Sequence, residues 1–256
     1  MPRWIEDTDP LPPGRSALGA ESEAPGLVAV GGTLTTARLE EAYRKGIFPW
    51  FSQGQPVLWW STNPRMVLPV AEFRVSHSLR KTLRRFAGRA GCEIRVDHAC
   101  EAVIRACAQA PREGQDGTWI VPAMIEAYAQ WHREGRVHSF ETWIDGELVG
   151  GLYGVAIGRM FFGESMFARR SDASKIALAA LVAWCRAHDV PLIDCQQETL
   201  HLASMGARPI PRAAFEAHLE QVLQSADRDD WTYDPSLWDE LLRAGHGGGS
   251  EPRDDP

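Results

Sequence analysis

The sequence predicts an α+β fold built on a mostly antiparallel sheet, and three observations carry that prediction. Residues 137–144 alternate in polarity and end at the turn pair Asp145-Gly146. Residues 147–157 give a second strand, Gly158-Arg159 turns it back, and residues 160–167 give a third, which makes an antiparallel meander. A long helix follows, with Ile176, Leu178, Ala179, Leu181, Val182 and Cys185 on its buried side, and it leads into a strand over residues 190–196. Ser171-Asp172 is read as the cap of that helix.

The earlier elements follow from local signals. Residues 1–25 hold five prolines and read as irregular, surface-hugging chain. Residues 27–30 form a short strand ending at Gly31-Gly32, and Thr35 caps a helix over residues 36–45 that stops at Gly46. Ile47 to Phe51 and Val57 to Ser61 together carry three tryptophans and two phenylalanines. Trp59 and Trp60 read as core. Gly46 and Pro49 make the first cluster a poor helix or strand, which suits an aromatic stacking loop. Further on, a strand is expected over 92–96 and helices over 99–108, 121–134, 215–223 and 235–242.

The chain has 256 residues, 44% hydrophobic and 24% charged, which excludes wholesale disorder and repeat architectures. No apolar run reaches the roughly 20 residues of a membrane span, and the N-terminus lacks signal-peptide order, so a cytoplasmic protein without a membrane partner is expected. The five cysteines form no C-x-x-C pair and read as reduced, mostly buried thiols. No spacing of His, Cys and Asp suggests a metal site, no P-loop or dinucleotide fingerprint is present, and Gly163-Glu164-Ser165-Met166 breaks the nucleophile-elbow pattern. No metal and no cofactor are therefore expected.

Against a net charge of −7, one segment carries Arg74, Arg80, Lys81, Arg84, Arg85 and Arg89 and no acid. Ser76-His77-Ser78 opens a helix there, and Leu79, Leu83 and Phe86 give it an apolar face. The basic side chains then cluster outward, either as a solvated helix face or as phosphate contacts; the second reading makes this the expected nucleic-acid surface.

Strand alternation sets the expectations for a site. On residues 160–167, Met160, Phe162, Glu164 and Met166 are expected on one face. A carboxylate in that company either pairs with a cation such as Lys175 or Arg169 or stands on the wall of an apolar ligand pocket. Asp194 and Gln196 are expected on the opposite face from Ile193 and Cys195, bonded to each other or to a ligand. Cys195 reads as packing rather than as a nucleophile. His201 is left without a place.

Several motifs in fixed order carry a resemblance. Gly31-Gly32-x-Leu34, Gly46-Ile47-Phe48-Pro49-Trp50-Phe51, Leu58-Trp59-Trp60-Ser61-x-x-Pro64-Arg65, Trp119-Ile120, His138-Ser139-Phe140-Glu141, Leu148 to Gly154, Phe162 to Phe167, Ala173-Ser174-Lys175 and Ile193-Asp194-Cys195-Gln196 resemble bacterial leucyl/phenylalanyl-tRNA–protein transferases over residues 26–219. The resemblance implies a small N-terminal domain and a C-terminal domain like the GCN5-related N-acetyltransferases. It implies transfer of Leu, Phe or Met from Leu-tRNA, Phe-tRNA or a Met counterpart to the N-terminal Arg or Lys of a protein, which creates a destabilising N-terminus for the N-degron pathway. Carried over by motif, Trp50 and Trp119 flank the terminal adenosine and aminoacyl group. Glu164 with Met160, Phe162 and Met166 belongs to the aminoacyl pocket, and Asp194 and Gln196 are the catalytic pair.

Two departures stand out. Thr62-Asn63 replaces the family's common Ser-Pro, and Ala168 replaces a serine; both are expected to lie outside the chemistry. Residues 1–71 are expected as the N-terminal domain with its aromatic loop, 72–244 as the aminoacyl-transfer domain and 245–256 as a disordered tail. Two rival functions are weighed. An acyl-CoA-dependent N-acetyltransferase needs a glycine-rich turn before the long helix, and Phe167 to Ala173 has no glycine. A non-catalytic tRNA-binding module leaves Glu164, Asp194 and Gln196 without a purpose.

Overall fold

A computed structural model describes residues 2–110 and 120–243. The proposed tail, 245–256, lies outside the described residues.

The N-terminal part is a four-stranded sheet of β1 (Arg3–Ile5), β2 (Leu27–Gly31), β3 (Phe48–Pro49) and β4 (Leu58–Trp60), in the order β1-β2-β4-β3. Helix α1 (Thr36–Arg44) starts where expected, because the Thr35 hydroxyl accepts the Arg38 N–H at 3.2 Å. The second sheet has seven strands: β5 (Arg65–Pro69), β6 (Cys92–Val96), β7 (Val137–Ile144), β8 (Glu147–Ile157), β9 (Met160–Ala168), β10 (Leu192–Gln196) and β11 (Arg208–Ile210). Their order is β11-β5-β10-β9-β8-β7-β6, and among the described residues the one parallel pair in this sheet is β9 with β10. The predicted meander is β7-β8-β9. β1, β5 and β11 were not legible as strands, and neither was β3, where Phe48 and Pro49 pair with Trp60 and Trp59 despite the Pro; β5 carries a stretch of residues 1–71 into the larger sheet.

Helices cover both faces of that sheet. α2 (His77–Ala87), α5 (Ala173–Ala187) and α8 (Leu237–Arg243) supply Leu83, Ala180 and Trp238 to one core. α3 (Cys100–Gln109), α4 (Pro122–Arg133) and α7 (Arg212–Val222) meet α1 and the small sheet in the other. The short helix α6 (Leu200–Ser204) follows β10, capped by the Thr199 hydroxyl. Because the second core is shared, the small sheet is bound to the large one through Leu39, Tyr43, Trp59 and Phe215.

The cap of α5 differs from the expectation. Asp172 sits in the left-handed region with φ 63° and makes no side-chain cap bond; its carboxylate pairs with Lys175 at 2.9 Å instead.

Two irregularities in the strands position the site. In β9, Gly163 pairs with Gly154 and Ser165 with Tyr153, so Glu164 is an extra residue in a β-bulge. Alternation is broken there: Met160 and Phe162 enter one core, while Met166 packs against the other. In β10, register shifts between Asp194 and Gln196, and Gln196 takes φ 54°. Strands β9 and β10 pair only at Phe161–Ile193 and Phe162–Asp194. Beyond those pairs the two strands part.

Candidate active site

The gap between β9 and β10 opens into a cavity of about 400 Å³. Leu152, Met166, Leu178, Leu181 and Ile193 make an apolar wall, and Tyr153, Glu164, Asp194 and Gln196 a polar one. Phe48 and Pro49 of β3, Trp50 just after it, and Thr199, His201 and Leu202 from α6 and the turn before it complete the lining. Such a vessel suits a group with a polar head and a large apolar side chain.

Glu164 is held by two phenols. The Tyr43 hydroxyl donates to Oε1 at 2.6 Å and the Tyr128 hydroxyl to Oε2 at 3.2 Å. These replace the anticipated cation: Lys175 pairs with Asp172, and Arg169 lies over Phe167 and donates to the Leu148 carbonyl. Burial raises the Glu164 carboxyl to about 7; the tyrosine hydrogen bonds and the Arg65 charge pull the other way, while the Asp194 charge adds to the rise. Both tyrosines are driven up by burial and by Glu164, so they remain donors.

This assigns a sign to a pH effect. A carboxyl raised in the folded state favours folding fully below its unfolded pKa, and that contribution fades as pH climbs through about 7. Glu164→Gln removes the ionisation. Its melting temperature relative to the parent should therefore rise between pH 5 and pH 8; a gap independent of pH contradicts the raised carboxyl.

Asp194 is wholly buried and bound to Arg65 by two bonds, Nε to Oδ1 at 2.7 Å and Nη2 to Oδ2 at 2.6 Å. Arg65 is 1% exposed, lies 4.7 Å from the ring centroids of both Phe48 and Phe215, and donates Nη1 to the Gly46 carbonyl. It thus ties the aromatic loop to β10. The Gln196 backbone N–H donates to Asp194 Oδ1 at 3.0 Å, and its carbonyl accepts the Thr62 hydroxyl at 2.9 Å. These bonds hold the left-handed backbone of Gln196. The side-chain amide points to Glu164, with Nε2 3.4 Å from Oε1. Asp194 therefore grips the Gln196 main chain and not its side chain, and Thr62 is part of the support rather than remote from it.

The expected site residues thus divide. Glu164, Met166, Asp194, Gln196 and Trp50 meet at the cavity. The bulge at Glu164 leaves Met160 and Phe162 in the core, 1% and 0% exposed, with Phe162 edge-on to Tyr43. Trp119 lies outside the described residues. Cys195 lines the cavity, and burial pushes its thiol up, so it stays protonated and inert. His201 also lines the cavity, and burial lowers its pKa. Sequence reasoning missed Tyr43, Tyr128 and the role of Arg65; an arginine followed by the apolar residues Met66, Val67 and Leu68 was the available signal.

The basic helix is α2, capped by Ser76, with Leu79, Leu83 and Phe86 buried. Lys81, Arg84, Arg85 and Arg74 are exposed. Arg80 instead donates to the Leu242 carbonyl of α8, and Arg89 pairs with Asp145. Thr82 lies 3.4 Å from Asp172 just before α5, and Asp172 pairs with Lys175.

An α+β fold whose parting strands enclose a half-apolar cavity, with a carboxyl and an amide on its wall, has the layout of a site for a group with polar and apolar parts. The chain belongs to the leucyl/phenylalanyl-tRNA protein transferase family: residues 67–220 match the family of that description and residues 32–63 its N-terminal domain. Leucyl/phenylalanyl-tRNA–protein transferases of Leptothrix cholodnii and Methylibium petroleiphilum are 66% and 65% identical to it, covering 95% and 94% of this chain and 96% and 91% of theirs. A GCN5-related N-acetyltransferase from Kribbella flavida aligns with TM-score 0.33 at 12% identity, over 66% of this chain and 59% of that one.

Proposed function

We propose that this enzyme moves Leu, Phe or Met from aminoacyl-tRNA to the N-terminal Arg or Lys of an acceptor protein, marking it for the N-degron pathway in the cytoplasm. The observation that carries the reading is the cavity between β9 and β10, where an apolar wall faces Glu164 and Gln196. The apolar side chain of the donor lies against Leu152, Met166, Leu178 and Ile193, and Trp50 stacks on the terminal adenosine.

The donor is an ester, already activated, so the reaction draws on alignment of amine and carbonyl. The acceptor amine forms the new C–N bond as the ester C–O bond breaks. The amine loses one proton and the ribose oxygen gains one. The Gln196 side-chain oxygen accepts an amine N–H and directs the lone pair. Glu164 faces the same amine as an anion and, with its pKa of about 7 close to the amine's, takes the proton. Asp194 does not touch the substrate in this scheme; it positions Gln196.

Incubation with labelled Phe-tRNA, labelled acetyl-CoA and an Arg-initiated peptide tests the reading. The phenylalanyl label should move and the acetyl label should not; the reverse establishes an acetyltransferase. Exposed cations on α2 support tRNA contact. Changing Lys81, Arg84 and Arg85 to Gln should weaken tRNA binding and reduce the slope of log affinity on log salt by up to about 3. Transfer from an aminoacyl-adenosine donor should persist, and equal losses on both donors make the helix structural.

A further inference from the structure

Three side chains that the proposed reaction leaves unused converge away from the cavity. Cys100 begins α3, His132 lies in the last turn of α4, and Asp97 directly follows β6. The Cys100 sulfur, a ring nitrogen of His132 and a carboxylate oxygen of Asp97 all lie within 4.8 Å of one another. We propose that these residues form a site for a divalent transition metal, with Zn²⁺ the best match to a thiolate, imidazole and carboxylate set.

Two of the three ligands are already oriented from behind. His132 Nδ1 is 2.7 Å from the Val137 carbonyl and donates to it, which leaves the Nε2 lone pair for a cation. The Asp97 carboxylate accepts the Ser139 N–H at 2.7 Å and faces His138 Nδ1 at 2.7 Å. Asp97 itself is held at φ 56°. These contacts give the His138-Ser139 motif a task that the cavity does not. Cys100 is 2% exposed, and burial together with the Asp97 charge raises its thiol pKa. A bound cation reverses that penalty by replacing the thiol proton: Cys–SH and M²⁺ give a thiolate–metal bond and one released proton.

Tetrahedral Zn²⁺ with bonds of about 2.0–2.3 Å sets its ligand atoms roughly 3.3–3.7 Å apart, so side-chain rotation of about 1 Å closes the set. Three protein ligands leave a fourth position for water. The site ties α3 to α4 and to the β6–β7 edge of the sheet. Asp97 and Cys100 are neighbours in sequence, but His132 comes from the next helix, and so no spacing motif announced the group.

Cobalt tests it on the full chain, purified without a metal-affinity step and stripped with chelator. One equivalent of Co²⁺ should bind and give a thiolate-to-cobalt charge-transfer band. Loading the stripped chain should release one proton per metal; Zn²⁺ should then displace the cobalt with no further proton release, and should raise the melting temperature above that of the stripped chain. The band should vanish in Cys100→Ser and survive in Cys195→Ser, and Cys100→Ser should transfer aminoacyl groups within about twofold of the parent rate. Absence of the band in the parent, or its persistence in Cys100→Ser, overturns the proposal and leaves the three residues as a hydrogen-bonded cluster. Because metal is read by absorbance, the proposal stands or falls separately from the transfer activity.

Discussion

Arg65→Ala is expected to destabilise the fold by about 3–5 kcal/mol, because it strands the Asp194 carboxylate at 0% exposure without its cation. That is a large share of the roughly 5–15 kcal/mol available to a typical domain. The loss has three parts: a doubly bonded ion pair, contact with the Phe48 and Phe215 rings, and the bond to the Gly46 carbonyl that anchors the aromatic loop. Asp194→Ala should be comparably damaging from the other side. The double variant should lose less than the sum of the single variants, since neither charge is then left alone. Chemical denaturation of the four proteins gives the coupling energy. A value near zero means that the pair does not act as a unit and that Asp194 must be judged on its contact with substrate.

Gln196→Ala should spare the fold and cut turnover. The bonds that hold residue 196 in place run through its backbone, from its N–H to Asp194 and from its carbonyl to Thr62, and survive truncation of the side chain. What is lost is the side-chain oxygen that, in the proposed scheme, orients the amine. Removing one positioned polar group from a reacting centre lowers kcat by about 10²–10³. The KM for the aminoacyl-tRNA donor should change little, because the apolar wall and the exposed cations of α2 are untouched. A variant that keeps near-parent kcat at saturating donor removes Gln196 from the chemistry and leaves Glu164 to orient the amine alone.

The site was legible where chemistry is local and obscured where geometry is not. Asp194 and Gln196 stood out as polar residues in an apolar strand, and both do lie at the cavity. Their relation was misread because alternation assumes a regular strand. The bulge between them turns Gln196 to φ 54° and puts its N–H, not its amide, on Asp194. The same assumption placed Met160, Phe162 and Met166 on one wall, whereas the extra residue at Glu164 divides them between two cores. Neither bulge has a signature of one residue type. Both lie beside the point where β9 and β10 part.

Sequence alone determined the β7-β8-β9 meander, the helix caps at Thr35 and Ser76, the apolar face of α2, and the family through its ordered motifs. Those features rest on interactions among residues a few positions apart, or on patterns that a chain carries whether folded or not. Tertiary structure alone decided that Arg65 neutralises Asp194 across 129 residues of chain, that Tyr43 and Tyr128 hold Glu164, and that Asp97, Cys100 and His132 meet. A buried carboxylate requires a partner but does not name one. Which donor reaches it is set by the packing of helices and strands from distant parts of the chain, and that information is not written at either position.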